Sequence, residues 1–260
     1  MERKVFFGVI LALIVVVAVL TAGCIGNDTE KTYVVGIDGD YPPYSYVDES
    51  GNFVGFDVES VQWIAEEEKF NVEFKALIRE EVIPALLAGK IDMIYSSMTI
   101  TPERSAQVTF SKPYWIVNQS VAVQNGSTAT LDQFKAGHLI IGVQRSCSAD
   151  QYLQNFFGES AYARMIQDGR IMLYDTFSHS MTALDDGLVD AVIFDDGIME
   201  STLKQDNNFI IIGYIETNEE YGVAMRNGDT ELQAIINDGL TKLMASDKWN
   251  ELQAKYMIEE

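Results

Sequence analysis

The chain has 260 residues, 47% of them hydrophobic and 22% charged, the balance of a globular protein and not of a disordered one. Its 39 acids against 18 bases leave a net charge of −21, and the absence of Lys/Arg clusters excludes a binder of nucleic-acid backbones. Two Cys and two His are too few for a Cys/His zinc centre or a disulfide-stapled scaffold, so no metal and no cofactor is expected.

Residues 1–23 read as an export signal. Glu2-Arg3-Lys4 precede a nearly unbroken apolar run over residues 5–20, followed by Thr21-Ala22-Gly23-Cys24. A basic start, an apolar stretch and small residues before a cut site are the parts of a secretory signal. A Cys directly after Ala-Gly is similar to a lipoprotein signal, in which Cys24 becomes the lipidated first residue. Thr21 departs from that pattern, which usually has Leu, Val or Ile there. The alternative is an uncleaved anchor helix, since about 18 apolar residues just span a bilayer. Both readings place the remainder on the extracytoplasmic face of the cell membrane, with residues 24–31 as a tether. Losing Glu2, Arg3 and Lys4 leaves 38 acids and 16 bases, a net of −22. That surface repels anionic headgroups, so the tether must hold the protein to the membrane. Cys147 is then the sole thiol, and no intramolecular disulfide can form.

Next in the chain, Tyr33-Val34-Val35-Gly36-Ile37 is a β-branched strand followed by a turn-rich stretch to Tyr44. Phe56, Val58, Val61, Ile64, Ala65 and Phe70 fall near helical spacing. Val72, Phe74 and Ala76 alternate as a strand, residues 82–88 form a short helix stopped by Gly89, and residues 91–95 form a strand. This β-α-β-α-β order implies a parallel sheet covered by helices on both faces. A second series follows: strands at 120–124, 139–143, 171–174 and 191–194, with helices at 131–134, 149–157 and 180–188. Residues 209–212 and 221–225 come next, and residues 230–255 are helical, with Leu232, Ile235, Ile236, Leu240, Leu243 and Met244 on one stripe. The fold class is α/β, in two lobes of similar size. Ligands of such sheets sit beyond the carboxyl ends of strands and between domains.

Seven blocks in order carry a resemblance. Asp38-Gly39-Asp40-Tyr41-Pro42-Pro43-Tyr44 with Gly55-Phe56-Asp57-Val58-Glu59 comes first, then Leu87-Ala88-Gly89-Lys90-Ile91-Asp92-Met93. Ser97-Met98-Thr99-Ile100-Thr101-Pro102-Glu103-Arg104 is the most diagnostic, with Phe110-Ser111-Lys112-Pro113-Tyr114 behind it. Gly142-Val143, Asp190-Ala191-Val192-Ile193-Phe194-Asp195 and Tyr221-Gly222-Val223-Ala224-Met225 complete the set, with a terminal helix over residues 249–256. Over about residues 32–257 the chain resembles the polar amino-acid-binding proteins of ABC importers. The resemblance implies the two-lobed periplasmic-binding-protein fold, each lobe a mostly parallel sheet flanked by helices. Lobe one would comprise residues 30–116 and 219–260, and lobe two residues 117–218, joined by two hinge segments with the ligand cleft between them. It also implies a monomer that serves an importer permease.

By the same resemblance, Arg104 binds the ligand carboxylate, a task for which a planar, permanently charged fork is suited. Outside the motif it reads as a surface Arg pairing with Glu103 or Asp57. Thr99 offers hydroxyl and backbone at the ligand's charged end and Ser97 its carbonyl; both are also ordinary turn residues. Asp195 matches the acidic partner of the ligand ammonium, with Asp196 beside it as a helix cap. Asp38 and Tyr41 match contacts from lobe one, although Tyr41 could simply pack on Tyr44.

Two positions depart from the family. Ser146-Cys147 stand where relatives usually have Gly-Thr, before Ser148; backbone N–H groups at a helix start complete the carboxylate site there. Cys147 also admits a reactive-thiol reading, since a helix N-terminus lowers a thiol pKa, though neither His138 nor His179 matches the site. Arg79 falls where many relatives have an aromatic. It either meets an acidic ligand side chain or swings to solvent to pair with Glu80 or Glu81.

The expected function is therefore a non-catalytic, membrane-tethered receptor for an amino acid or related small polar solute. An enzyme similar to the cyclohexadienyl or arogenate dehydratases is the alternative, and would need an acid or base poised in the cleft. A ligand-sensing module is a third reading; it would be expected to carry a C-terminal transmembrane helix, and no such apolar run follows residue 230.

Overall fold

The computed structural model describes residues 30–256; residues 1–23, Cys24 and most of the tether lie outside them. Among the described residues, no helix is long and apolar enough to cross a membrane.

The strands in chain order are β1 (Thr32–Asp38), β2 (Asp40–Tyr41), β3 (Ser45–Val47), β4 (Phe53–Val54), β5 (Asn71–Leu77), β6 (Met93–Thr99), β7 (Thr109–Phe110), β8 (Trp115–Gln124), β9 (Ile141–Gln144), β10 (Ile171–Tyr174), β11 (Ala191–Asp195) and β12 (Phe209–Met225). Their main sheet runs β10-β9-β11-β8-β12-β6-β1-β5, with β7 added to β12. The β5-β1-β6 pairs are parallel, as are β10-β9-β11. Between these triplets β8 and β12 pair antiparallel with each other and with β11 and β6. The two β-α-β series are thus two parallel sheets stitched together by one long antiparallel ribbon. β2, β3 and β4 form a separate small sheet.

Each triplet has its own apolar cover. Val35 and Ile37 of β1 are fully buried, as are Val61 and Ile64 of the helix Phe56–Glu68 and Ile236 and Leu240 of the helix Thr230–Met244. Beyond β8, Ile141, Val143 and Ala191 to Phe194 are buried together with Leu153 and Leu184 from the helices Ser148–Phe157 and Phe177–Asp185. Each such side chain contributes about 1.5–3 kcal/mol of transfer free energy. Gly55, in the first sequence block, adopts φ 128, and a Cβ there would lie 2.2 Å from the Tyr44 carbonyl oxygen; only Gly fits. That contact delivers the chain from the Tyr41–Tyr44 turn into the helix that begins with Phe56.

Candidate ligand-binding site

The site begins with an unusual stretch of strand. Every residue of β6 is buried, yet its C-terminal half is polar: Ser96, Ser97 and Thr99. Ser97 sits at φ 46, in the left-handed region that a Cβ disfavours. Asp57, in the first turn of the helix Phe56–Glu68, holds it there. Its Oδ2 accepts the Ser97 amide at 2.6 Å and the Ser97 hydroxyl at 2.9 Å, and its Oδ1 accepts the Tyr114 hydroxyl at 3.0 Å. Burial outweighs these bonds and pushes the Asp57 pKa up to about 7.

This bend presents the Ser96 and Ser97 carbonyls to Arg79, whose Nη1 and Nη2 donate to them at 2.9 and 3.2 Å. Arg79 is 3% exposed, and its guanidinium lies 5.2 Å from the centroid of the Tyr41 ring. Burial works against its charge, but Tyr41, Asp38 and Asp195 prevail and hold its pKa above the usual guanidinium value. Of the two alternatives for Arg79, the solvent-facing one paired with Glu80 or Glu81 does not hold: Glu80 pairs with Arg145 at 3.3 Å instead.

Arg104 is buried too, not on the surface. It stands on the short helix Pro102–Ser105, capped by the Thr101 hydroxyl, which accepts the Arg104 amide at 3.2 Å. Its Nη1 donates to the Thr99 carbonyl at 2.8 Å and its Nη2 to the Ser146 carbonyl at 3.0 Å. Burial, then repulsion from Arg79, lowers its pKa to about 10, so it stays cationic at neutral pH. Ser146, where relatives usually have Gly, adopts φ 61, the conformation Gly would supply. Its amide is fixed by Asp150 Oδ2 at 2.9 Å. Cys147 follows as the N-cap of the helix Ser148–Phe157 without a side-chain capping bond. Burial and Asp195 push its thiol pKa up, opposite to what a reactive thiol requires.

Asp195 closes the arrangement from the end of β11. Its Oδ1 accepts Gln119 Nε2 at 2.6 Å and the Ser148 hydroxyl at 2.9 Å, while its Oδ2 accepts the hydroxyls of Tyr41 and Tyr221. Tyr41 thus packs on Phe194 and bonds the acid. Asp196 instead accepts the amides of Gly197 and Asn118 at 2.8 and 3.3 Å. Asp38 accepts Gln144 Nε2 at 3.0 Å and the Asp40 amide at 3.2 Å; burial raises its pKa against the pull of Arg79.

All the residues singled out in the sequence for ligand contact, Asp38, Tyr41, Arg79, Ser97, Thr99, Arg104, Cys147, Ser148 and Asp195, are buried around this one network. Several polar atoms inside it have no partner among the described residues: Thr99 Oγ1, Arg79 Nε, Gln119 Oε1 and Gln144 Oε1. Each such orphan costs about 1–3 kcal/mol, which a polar solute would offset. A cavity of about 320 Å³ opens on the Arg79 and Arg104 side of the network, lined also by Met98, Ser146 and Cys147. Two cations facing two or more carboxylates suit a small zwitterion, whose opposite charges need partners of opposite sign.

The sequence model of the bacterial extracellular solute-binding proteins, family 3, matches residues 33–259. The chain belongs to this family. It is 30% identical over 236 residues to the L-arginine-binding protein of Pseudomonas aeruginosa, across 87% of this chain and 88% of that one. It superposes on an ancestral arginine-binding protein bound to glutamine with a TM-score of 0.79 and 32% identity, covering 89% of this chain and all of the other (100%). It is also similar to an ancestral amino-acid-binding protein described as a precursor of cyclohexadienyl dehydratase, at a TM-score of 0.74 and 28% identity over 86% of this chain and 94% of that one. These structures share the periplasmic-binding-protein-like fold, and so does this family 3 chain.

Four residues of the network were not foreseen from sequence: Gln119, Gln144, Glu219 and Tyr221. Tyr221 opens the Tyr-Gly-Val-Ala-Met block, which was a usable signal. Gln119 sits between Asn118 and Ser120 in β8 and Gln144 ends the apolar β9, each fully buried; a buried amide in a core strand is the mark of a polar site. Glu219 lies within the acid-rich stretch Glu216-Thr217-Asn218-Glu219-Glu220 and carries no distinguishing pattern.

Proposed function

We propose that this protein is a non-catalytic receptor that binds an α-amino acid or a related small zwitterion and delivers it to an ABC importer. The binding cleft lies between a lobe of residues 30–116 with 219–260 and a lobe of residues 117–218. The protein acts as a monomer on the extracytoplasmic face of the membrane, tethered through lipid on Cys24 after removal of residues 1–23.

One observation carries the reading. The buried Arg104 of one lobe is bonded to the Ser146 carbonyl of the other, while the buried Asp195 of the second lobe accepts Tyr41 of the first. A cation and an anion are thereby fixed on opposite walls, and a solute with both charges bridges them. Arg104 serves the carboxylate, Asp38 and Asp195 the positive end, and Thr99, Ser97 and Ser148 the remaining hydrogen bonds. Arg79 acts as counter-charge to Asp38 and Asp195. A thermal-shift screen against the common L-amino acids tests this: a ligand at 100 times its Kd adds about 2.7 kcal/mol to stability. A panel with no stabilising member overturns the reading.

A catalytic second reading has two supports: the similarity to a dehydratase precursor, and Glu219, a cleft carboxyl with a pKa pushed up to about 7, the range of a general acid. Incubation with prephenate or arogenate, followed by product analysis, separates it from the receptor.

A further inference from the structure

Asp195 cannot receive an amine without giving something up. A carboxylate offers about four lone-pair sites, and four donors from the protein, Gln119, Ser148, Tyr41 and Tyr221, already occupy them. An ammonium brings three N–H donors of its own. A further acceptor must stand close by.

Glu219 is placed for that role. The pairing of β12 with β8 shifts register between Ile215 and Glu219. At the shift Asn218 takes φ 49, and its amide is held by Asn118 Oδ1 at 3.0 Å. The irregularity turns Glu219 inward, so that its Oε2 accepts Gln119 Nε2 at 3.1 Å, while Glu220 beside it stays exposed. Asp195 Oδ1 and the Ser148 hydroxyl also lie within reach of the Gln119 nitrogen, at 2.6 and 3.2 Å, so its two hydrogens are shared among three acceptors. One amide nitrogen therefore spans two carboxylates of different elements. The Gln119 Oε1 is buried with no partner among the described residues.

Building on the receptor reading above, we infer that Glu219 is an additional anionic contact for the ligand's ammonium group, beside Asp38 and Asp195, and a specificity-determining residue of the cleft. Asp195 organises the wall by gathering its four donors, and Glu219 supplies the acceptor that remains. The site thereby selects solutes with a protonated amine over hydroxy acids of the same shape.

The groups facing Glu219 fix how this should depend on pH. They are Asp195 at the end of β11, Gln119 of β8, Ser148 of the helix Ser148–Phe157 and Arg104 of the helix Pro102–Ser105. Burial and Asp195 raise its pKa to about 7, against the bonds from Gln119 and Ser148 and the charge of Arg104. An ammonium favours the ionised carboxyl. Below pH 7 the proton must leave before the amine can bind, and affinity falls toward tenfold per pH unit, about 1.4 kcal/mol.

The experiment is calorimetry at pH 8.0 and 5.5 on the wild type, Glu219→Gln and Glu219→Asp, using whichever common L-amino acid stabilises the wild type most. The wild type should lose roughly 10- to 30-fold on acidification. Glu219→Gln should bind about tenfold more weakly at pH 8.0 and show a much shallower pH dependence. Glu219→Asp, which keeps the charge, should keep the pH dependence. A wild type that binds, with Glu219→Gln inside twofold of it at both pH values, overturns this inference and leaves the receptor reading intact. A wild type that binds no amino acid overturns both.

Discussion

Asp57 and Ser97, 40 positions apart, form the joint on which the site turns: one carboxylate oxygen takes both the amide and the hydroxyl of Ser97. The strained φ of 46 at Ser97 aims its carbonyl, and that of Ser96, at Arg79. Asp57 thus positions a residue that it does not itself touch. The raised pKa of Asp57 has a consequence for stability. An acid whose pKa is about 7 folded, against 3.8 ordinarily, holds its proton more tightly in the native state. Native stability therefore declines as pH rises from about 4 through 7, by at most about 4 kcal/mol. Asp57→Asn lacks this term. Urea denaturation at pH 5 and pH 8 should show the variant gaining on the wild type at the higher pH. Parallel pH profiles for the two proteins would reject the assignment.

Arg104→Ala should nearly abolish ligand binding and leave the fold intact. It removes one partner of a buried, hydrogen-bonded charge pair, which costs on the order of 2–5 kcal/mol, or roughly 30- to 3,000-fold in Kd. The Ser146 carbonyl it releases belongs to an exposed residue and can turn to water. A calorimetric loss under about threefold would show that the carboxylate is anchored elsewhere.

Elements with strong local signals were legible in the sequence. β10 and the Gly89-terminated helix Val82–Leu87 came out within a residue, because turn residues bound them and apolar side chains fill them. β6 was read as residues 91–95, yet it runs from Met93 to Thr99. Its polar end is a strand only because Asp57 and Arg79, distant in sequence, satisfy Ser96 and Ser97 there. The helix expected over residues 230–255 is two helices, Thr230–Met244 and Asp247–Tyr256; a single apolar stripe does not show a break that tertiary packing imposes. The helix Glu159–Gln167 is not anticipated from the sequence, and Asp196–Gln205 only as the helix, given no bounds, that the Asp195-Asp196 pair would cap. For the site, motif residues such as Arg104 and Asp195 were visible. Their supports Gln119 and Gln144 were not, since an amide's partners are set by the packing of separate strands.

Cys24→Ala should release the protein from membranes if Cys24 carries lipid. Covalently attached lipid chains hold a protein by about 0.8 kcal/mol per buried CH₂, and the acidic surface adds nothing to that hold. Fractionation of cells expressing the variant decides the matter. A variant still wholly in the membrane fraction, at its uncleaved mass, would identify residues 5–20 as the anchor.

The last expectation is motion. Two kinds of bond cross between the proposed lobes. Inside the cleft are Tyr41 to Asp195, Gln144 to Asp38 and Arg104 to Ser146; at the rim are Arg145 to Glu80 at 3.3 Å and Ser178 to Asp40 at 2.8 Å. The rim pairs are exposed and each contributes about 0–1 kcal/mol, too little to keep the lobes together alone. The buried polar orphans Thr99 Oγ1 and Gln119 Oε1 oppose closure until a solute satisfies them. Ligand contacts made with both walls at once exist only in the closed form, so binding should shift the population toward it. The rotation should be taken up in residues 115–120 and 213–221, where β8 and β12 cross and their register twice slips. An importer could then read closure as occupancy. Small-angle scattering with and without the amino acid found by thermal shift tests this: the radius of gyration should fall on saturation. An unchanged radius at saturating ligand, starting from an open ligand-free form, would sink the hinge account.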